Sequence, residues 1–140
     1  MIRPGDTGEA SFIVELGDTA QGLSISPDDN FPEVFATSRM VALMELAAAR
    51  VMQKILQPGE LSVGVVVDVR HTAATPVGCR VRAVAKYVGP EGRLHRFQIE
   101  AFDEAGSIGD ASHTRAVIST ERLLKGAEHR RKKVVPGSGD

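Results

Sequence analysis

The chain is poor in several residue types on which large classes of protein depend. Its 140 residues include one cysteine, no tryptophan and one tyrosine, and aromatic residues make up 4% of the sequence. The single cysteine, Cys79, can form neither an internal disulfide nor a zinc site built from several cysteines. The scarcity of aromatic rings argues against stacking on bases or sugars as the main mode of binding. We therefore expect the protein to reside in a reducing cytoplasm, and we expect it to have no metal site.

Charge imbalance and long apolar runs are missing as well. The formal net charge is −1, which gives no electrostatic reason to expect a nucleic-acid or membrane partner. The first residues, MIRPGDTGEA, lack the apolar stretch of a signal peptide, and no apolar run approaches the ~20 residues that span a bilayer. The apolar content of 42% is enough for one core. We expect a single domain over residues 1–125 and a disordered tail over residues 126–140.

The most regular pattern is an apolar helix within FPEVFATSRMVALMELAAARVM, residues 31–52. Thr37 and Ser38 are natural N-cap residues, because their side-chain oxygens can accept from free amides of the first turn. Inside the helix, Glu45 has only valine and alanine neighbours one turn away, so it lacks a basic partner on the helix surface. Such a carboxylate either leans out to solvent or serves a function. The helix alone does not decide between the two.

Five segments have the alternation of β-strands, one before the helix and four after it. They cover residues 11–16, 61–73, 79–88, 93–103 and 108–120. Short turn sequences such as GPEG join the last four, which favours an antiparallel meander. The polar stretch over residues 17–32 is long for a connecting loop, so we expect a lid or pocket rim there. One helix against one antiparallel sheet is an α+β architecture, and we expect a homodimer in which a second copy covers a sheet edge.

This order of elements is that of the hot-dog fold, and the local sequence is more specific. The segments FPEVFATSRMVALMELAAARVM, VGVVVDVRHTAATPVGCRV and IGDASHTRAVI resemble the fluoroacetyl-CoA thioesterase family of hot-dog enzymes. The likeness runs over residues 31–118. It implies a long central helix packed on a curved antiparallel five-stranded sheet. It also implies hydrolysis of a short-chain, fluoroacetyl-CoA-like thioester, with CoA as part of the substrate and no cofactor.

The resemblance also implies a set of site residues. Thr37, Glu45 and His71 match the catalytic set of the family. Gly64 matches a glycine that offers its backbone amide to the thioester oxygen, and Arg115 matches an arginine near the site. Phe31 is the only aromatic residue that matches the hydrophobic lid, because residues 17–30 are polar here. The acyl group is therefore left open.

The chemistry of thioester hydrolysis agrees with these residues but does not choose among three routes. Thr37 can attack if His71 takes its proton, Glu45 can attack directly, or Glu45 can activate a water molecule. Each residue also has a purely structural alternative. Thr37 can cap the helix, His71 can end a strand, and Arg115 can pair with an acidic residue of the sheet, Asp110 or Glu100.

Two other functions fit the same fold. A non-catalytic hot-dog protein that binds acyl-CoA or another acyl ligand would show saturable binding without turnover. A hot-dog enoyl hydratase is disfavoured. Such enzymes have an aspartate and a histidine at the helix entrance, and FPEVFAT has neither.

Overall fold

The computed structural model describes residues 1–134, in which one antiparallel sheet wraps around a long helix. The strands are β1 (Thr7–Ile13), β2 (Glu60–His71), β3 (Arg80–Glu91), β4 (Leu94–Asp103) and β5 (Gly106–Ser119). Helix α1 (Thr37–Met52) lies between β1 and β2 in the chain, and helix α2 (Thr120–Lys132) follows β5. Three short 3-10 turns lie before and after α1, at Leu16–Asp18, Gln21–Leu23 and Gln53–Ile55. The predicted α+β architecture with five antiparallel strands is confirmed.

The strand order in the sheet is β1-β3-β4-β5-β2. The predicted meander is correct for β3, β4 and β5 and wrong for β2, which pairs with β5 at the far edge. The chain does not turn tightly after β2. It runs past the entrance of α1, where the Phe35 amide donates to the Thr75 carbonyl at 2.8 Å. The segment between β2 and β3 is thus held by a long-range contact, which a turn signal cannot reveal.

The core lies between α1 and the concave face of the sheet. Small residues of the sheet, such as Ala83, Ala85, Ala101 and Ala111, let the helix approach closely, and all four are fully buried. The helix contributes large side chains to fill the remaining space. Its buried residues are Met40, Leu43, Met44, Ala47, Ala48, Val51 and Met52.

Strand β2 forms one edge of the sheet and has an irregular middle. The register with β5 shifts between Gly64 and Val66, so Val65 is the extra residue of a β-bulge. Val65 and Val66 are 52% and 53% exposed. A long, valine-rich edge strand with unpaired backbone groups is a surface on which another strand can add.

Several predicted boundaries need correction. Strand β1 begins at Thr7 rather than at residue 11. The sequence did not show this, because Gly8, which packs against α1, has no side chain to contribute to an alternating apolar and polar pattern. The N-cap of α1 is Ala36, so neither Thr37 nor Ser38 caps it.

Helix α2 continues through residues 126–132, where the sequence predicted a disordered tail. The Ser119 hydroxyl caps this helix by accepting from the Arg122 amide at 3.2 Å, and Glu121 pairs with Lys125 at 3.5 Å. The prediction is therefore wrong for this segment, while residues 135–140 lie outside the described part. Over residues 1–134, no helix is both long and apolar enough to cross a membrane.

Candidate active site

Thr37 and His71 are in direct contact where the start of α1 meets the end of β2. The Thr37 hydroxyl oxygen lies 2.8 Å from Nδ1 of His71. Because Ala36 holds the N-cap position, the Thr37 hydroxyl is not occupied in capping the helix. With Nδ1 unprotonated, His71 accepts the hydroxyl hydrogen, which is the arrangement of a hydroxyl nucleophile and its base. The structural alternative of Thr37 as a helix cap is wrong.

This pair lies in the wall of a cavity of about 320 Å³. The other walls come from the entrance of α1, the chain after β2 and the loop before α1, which contributes Ala20. Phe35, which the sequence did not single out, is fully buried behind the pair, and its ring meets the His71 ring edge-on at a centroid distance of 6.3 Å. The remaining lining residues are Val34, Ala36, Thr72, Ala73 and Ala74. The cavity is thus largely apolar, with a hydroxyl and an imidazole at one side.

The environment of His71 keeps its ring neutral. Burial lowers the pKa of His71 below its ordinary value of 6.5, because the charged form loses hydration. Its Nε2 atom is buried and has no hydrogen-bond partner within residues 1–134. At neutral pH the ring is therefore available as a base.

We expect the pH profile of hydrolysis to follow this lowered pKa. His71 must be neutral to take a proton, so activity is retained above its pKa and lost as the pH falls through it. Because burial lowers the pKa, the acidic limb of kcat/KM should lie below pH 6.5. Measuring kcat/KM between about pH 5 and pH 8 tests this, and a midpoint above that of free histidine would contradict it.

Glu45 belongs to a second cluster, on the side of α1 that faces β2 and β5. Arg115 donates through Nη1 to Glu45 Oε1 at 3.0 Å, and the two side chains are 7% and 39% exposed. Arg115 is fixed by Ser62, to which Nε and Nη2 both donate at 2.9 Å. Glu45 is therefore not unpaired as the helix sequence suggested, since its partner comes from β5.

The structural alternative, in which Arg115 pairs with an acidic residue of the sheet, is wrong, because its partner is Glu45 of the helix. Asp110 pairs with Arg70 on the sheet surface, at 3.6 Å, and not with Arg115. Arg115 is 6% exposed, and a buried cation is stable only when charged or polar groups satisfy it. Glu45 supplies the countercharge, so the carboxylate has a fixed direction.

Gly64 lies directly against this carboxylate. A methyl group added at Gly64 would overlap Glu45 Oε1 and lie 3.1 Å from Cε1 of His113. The backbone of Gly64 is in an ordinary conformation, because it is not among the glycines with positive φ. A side chain is therefore excluded by the position of the carboxylate and not by backbone strain.

Replacing Gly64 by alanine should lower kcat while leaving the fold intact. The added methyl group must push the Glu45 carboxylate away from its position, and displacements of about 1 Å cost up to ~100-fold in rate. We expect a loss of about tenfold to 100-fold in kcat with the melting temperature nearly unchanged. Gly126→Ala, on the exposed face of α2 where a methyl group meets nothing, is the matched control. Full activity in Gly64→Ala would show that the carboxylate position is unimportant.

The predicted site residues thus form two groups within one protomer. Thr37 and Glu45 are eight positions apart in α1, or about 12 Å along the helix axis. His71 and Gly64 are six ladder positions apart in β2, because Val65 is bulged out, or about 20 Å along an extended strand. The structure brings Thr37 together with His71, and Glu45 together with Gly64 and Arg115, but it does not join the two groups in a single chain.

Two further residues differ from what the sequence indicated. Phe31 does not line the cavity of one protomer, and its side chain is 51% exposed. The residues fixed at the cavity are Val34 and Phe35, which are bridged to the chain after β2. His113, which the sequence analysis did not name, contacts Arg115 at 3.1 Å inside the second cluster. The one available signal for His113 was its place two residues before Arg115, on the same face of a strand.

Comparison with known proteins identifies the family. The model of the family described as fluoroacetyl-CoA-specific thioesterase matches residues 15–121. The chain belongs to the fluoroacetyl-CoA-specific thioesterase family. The family predicted from the sequence, the hot-dog fold and the assignment to the thioester hydrolases are confirmed.

Individual relatives of this thioesterase family cover nearly the whole chain. Fluoroacetyl-CoA thioesterase from Streptantibioticus cattleyicolor is 42% identical over 124 residues, which are 87% of this chain and 89% of the relative. A mutant of the fluoroacetyl-CoA-specific thioesterase, solved in complex with fluoroacetate and CoA, is 41% identical with a TM-score of 0.82, covering 87% of this chain and 99% of the other. A Thermus thermophilus hypothetical protein of the thioesterase superfamily is 28% identical, with a TM-score of 0.84 over 96% and 98% of the two chains.

Proposed function

We propose that the protein hydrolyses short-chain acyl-CoA thioesters, of the fluoroacetyl-CoA type, to the free acid and CoA. The observation that carries this proposal is the 2.8 Å contact between Thr37 and His71 at the wall of an apolar cavity. The relatives solved or named with fluoroacetyl-CoA, fluoroacetate or CoA support the same substrate class. CoA enters as part of the substrate, and the reaction requires no cofactor. The cytoplasmic location stays a prediction.

The active form is a homodimer in which a second copy pairs with the edge strand β2. In one protomer Thr37 is exposed, and Glu45 is 39% exposed beside the same edge. Val65 and Val66 present apolar surface there, next to unpaired backbone groups. Pairing of β2 with its own copy would satisfy these groups and extend the sheet across both protomers.

The spacing along β2 also supports this pairing. When a strand pairs antiparallel with itself about a two-fold axis, residues equally far from the axis lie opposite each other. An axis at Asp68 pairs Val66 with the partner's Arg70, and because Val65 is the extra residue of the bulge, Gly64 then lies opposite the partner's His71. The two groups that one protomer keeps apart would then meet, twice, across the dimer.

Each composite site has the parts that thioester hydrolysis needs. His71 takes a proton, either from the Thr37 hydroxyl or through it. The partner's Glu45 supplies a carboxylate fixed by Arg115 of the same chain, and it either attacks the carbonyl or activates water. The backbone at the partner's Gly64 is free of a side chain, so its amide can approach the developing oxyanion.

Charges placed on β2 should separate the protomers and abolish activity together. Changing both Val65 and Val66 to lysine places positive charges against the partner's Arg70, which this register puts opposite Val66, while both side chains are about half exposed in one protomer. We expect the mass measured by light scattering to fall from dimer to monomer, with kcat reduced by more than about tenfold. Val88→Lys, on interior strand β3 and 44% exposed, is the matched control. A monomer with full activity would refute the composite site.

The substrate proposal is tested by release of free thiol from a panel of acyl-CoAs. The panel contains acetyl, fluoroacetyl, propionyl and aryl-acyl thioesters, and we expect turnover of the short acyl groups. The alternative, a non-catalytic acyl-CoA binding protein, predicts thermal stabilisation by these ligands without thiol release. Stabilisation without release would therefore replace the thioesterase proposal by the binding protein.

A further inference from the structure

His113 is a buried histidine that the reaction described above does not use. It lies on β5 under α1 and is 2% exposed. Its Nδ1 atom lies 2.7 Å from the carbonyl oxygen of Val66, and its Nε2 atom lies 3.1 Å from Nη1 of Arg115. A carbonyl oxygen can only accept and a guanidinium can only donate. The two partners therefore fix the ring as neutral, with its hydrogen on Nδ1.

These two contacts reach both parts of the Glu45 cluster. Nη1 of Arg115 is the same atom that donates to Glu45 at 3.0 Å, so His113 and Glu45 share one NH₂ group of the guanidinium. Val66 is the residue at which β2 resumes its register after the bulge, two residues beyond Gly64. The His113 ring itself lies beside Gly64, since a methyl group added there would be 3.1 Å from Cε1.

We propose that His113 is a positioning residue of the thioesterase site, which holds the Arg115 guanidinium against Glu45 and fixes the bulge that carries Gly64. The proposal rests on the proposed function. A single neutral ring then holds both the Glu45 carboxylate and the Gly64 backbone in place. Both of these groups must face the same substrate. Loss of the contact to Arg115 displaces the carboxylate, whereas loss of the contact to Val66 removes one of two anchors of the bulge, since Val66 is also paired with Thr114 of β5.

The acceptor atom Nε2 of His113 is needed to satisfy Arg115, because the guanidinium is buried. Without it, one N–H of Arg115 would be left without a partner in the interior, and the guanidinium would turn to satisfy it. Burial lowers the pKa of His113, and the Arg115 cation acts in the same direction, against the raising contributions of Val66 and Glu45. The ring thus stays an acceptor at neutral pH.

Three substitutions separate the two contacts. In His113→Gln, the amide oxygen can reach the place of Nε2 and accept from Arg115, but the donor to Val66 is lost. In His113→Asn, the shorter amide can donate to Val66, but the acceptor for Arg115 is lost. His113→Leu fills similar volume and removes both contacts.

We expect kcat to depend on whether residue 113 can accept a hydrogen bond from Arg115. His113→Gln should keep kcat within about threefold, while His113→Asn and His113→Leu should lose about tenfold or more, with KM changed little in all three. Melting temperatures should rank differently, with His113→Asn above His113→Leu because it keeps the contact to the bulge. If kcat falls in step with melting temperature, or if His113→Leu keeps full kcat, the proposal is overturned.

Two controls keep the test decisive. His95→Gln changes the cross-strand neighbour of Arg115 on β4, whose ring hydrogen-bonds Tyr87 at 2.8 Å rather than Glu45 or Arg115, and a loss equal to that of His113→Leu would also overturn the proposal. In the wild-type protein, ¹⁵N NMR of the histidine rings should show His113 neutral with hydrogen on Nδ1, and a ring protonated on Nε2 would overturn it even if the variants fail to fold. A wild type without thiol release contradicts the proposed function instead, while the NMR result still tests the ring.

Discussion

Replacing Glu45 by glutamine should lower kcat for acyl-CoA hydrolysis by about 10³-fold. Both routes open to this residue, attack on the carbonyl and activation of water, require an ionised carboxylate. The glutamine amide oxygen can still accept from Arg115, so the change removes the charge and the basicity while it keeps the shape. We therefore expect the loss in kcat, measured by free-thiol release, with little change in KM and a lowered melting temperature, because the buried Arg115 cation loses its countercharge.

Glu9→Gln is the matched control for this experiment. Glu9 also pairs with an arginine of the sheet, Arg82 at 3.3 Å, but it is 58% exposed and lies on β1, far from β2 in the strand order. Its substitution should leave kcat unchanged. A Glu45→Gln variant with wild-type turnover would remove the carboxylate from the mechanism and leave the Arg115 pair as a structural feature only.

Replacing His71 by alanine should lower kcat by about 10²-fold or more. The Thr37 hydroxyl then has no base within hydrogen-bond distance, because Nδ1 of His71 is its side-chain partner at 2.8 Å. His71→Asn separates the two roles of the ring, since an asparagine amide can still hydrogen-bond Thr37 but cannot take a proton. We expect His71→Asn to be nearly as impaired as His71→Ala in the thiol-release assay.

The control for the histidine series is His129→Ala, which removes an exposed histidine from α2. It should behave as wild type. If His71→Asn retains full turnover, hydrogen bonding to Thr37 is sufficient and the ring is not a base. That outcome would also move the acidic limb of the pH profile away from the His71 pKa.

Local patterns in the sequence predicted most of the scaffold. The apolar pattern within residues 31–52 predicted α1, and the GPEG turn predicted the β3–β4 hairpin at nearly its observed place. These features depend on residues close together in the chain, so a single sequence contains them. Thr37 and His71, which are in contact here, were named through the family resemblance rather than through any local pattern.

The remaining features depend on contacts between distant parts of the chain. Glu45 has its partner 70 positions away on β5, so its helix neighbours could not show that it is paired. Placement of β2 at the edge depends on its pairing with β5, and the segment after β2 is held by the Phe35 amide, which donates to Thr75. The same contact fixes Phe35 at the cavity, while Phe31, which lies outside it, remains exposed.

The same distance explains why the site is divided. The order of strands puts β2 at the edge, and its length carries Gly64 and His71 to different places along that edge. One chain can therefore hold a base with its hydroxyl, and a carboxylate with its guanidinium, without bringing them together. The division is a consequence of strand geometry, and it is what makes a second copy of the chain necessary for the proposed reaction.

The most direct test of this composite site is a heterodimer of two inactive variants. His71→Ala and Glu45→Gln chains are co-expressed with different affinity tags, and the mixed dimer is isolated through both tags. One of its two sites then contains an intact His71 and an intact Glu45, while the other contains both substitutions. We predict that the heterodimer recovers about half of the wild-type kcat per dimer. A heterodimer no more active than the two parent variants would contradict a site shared between protomers.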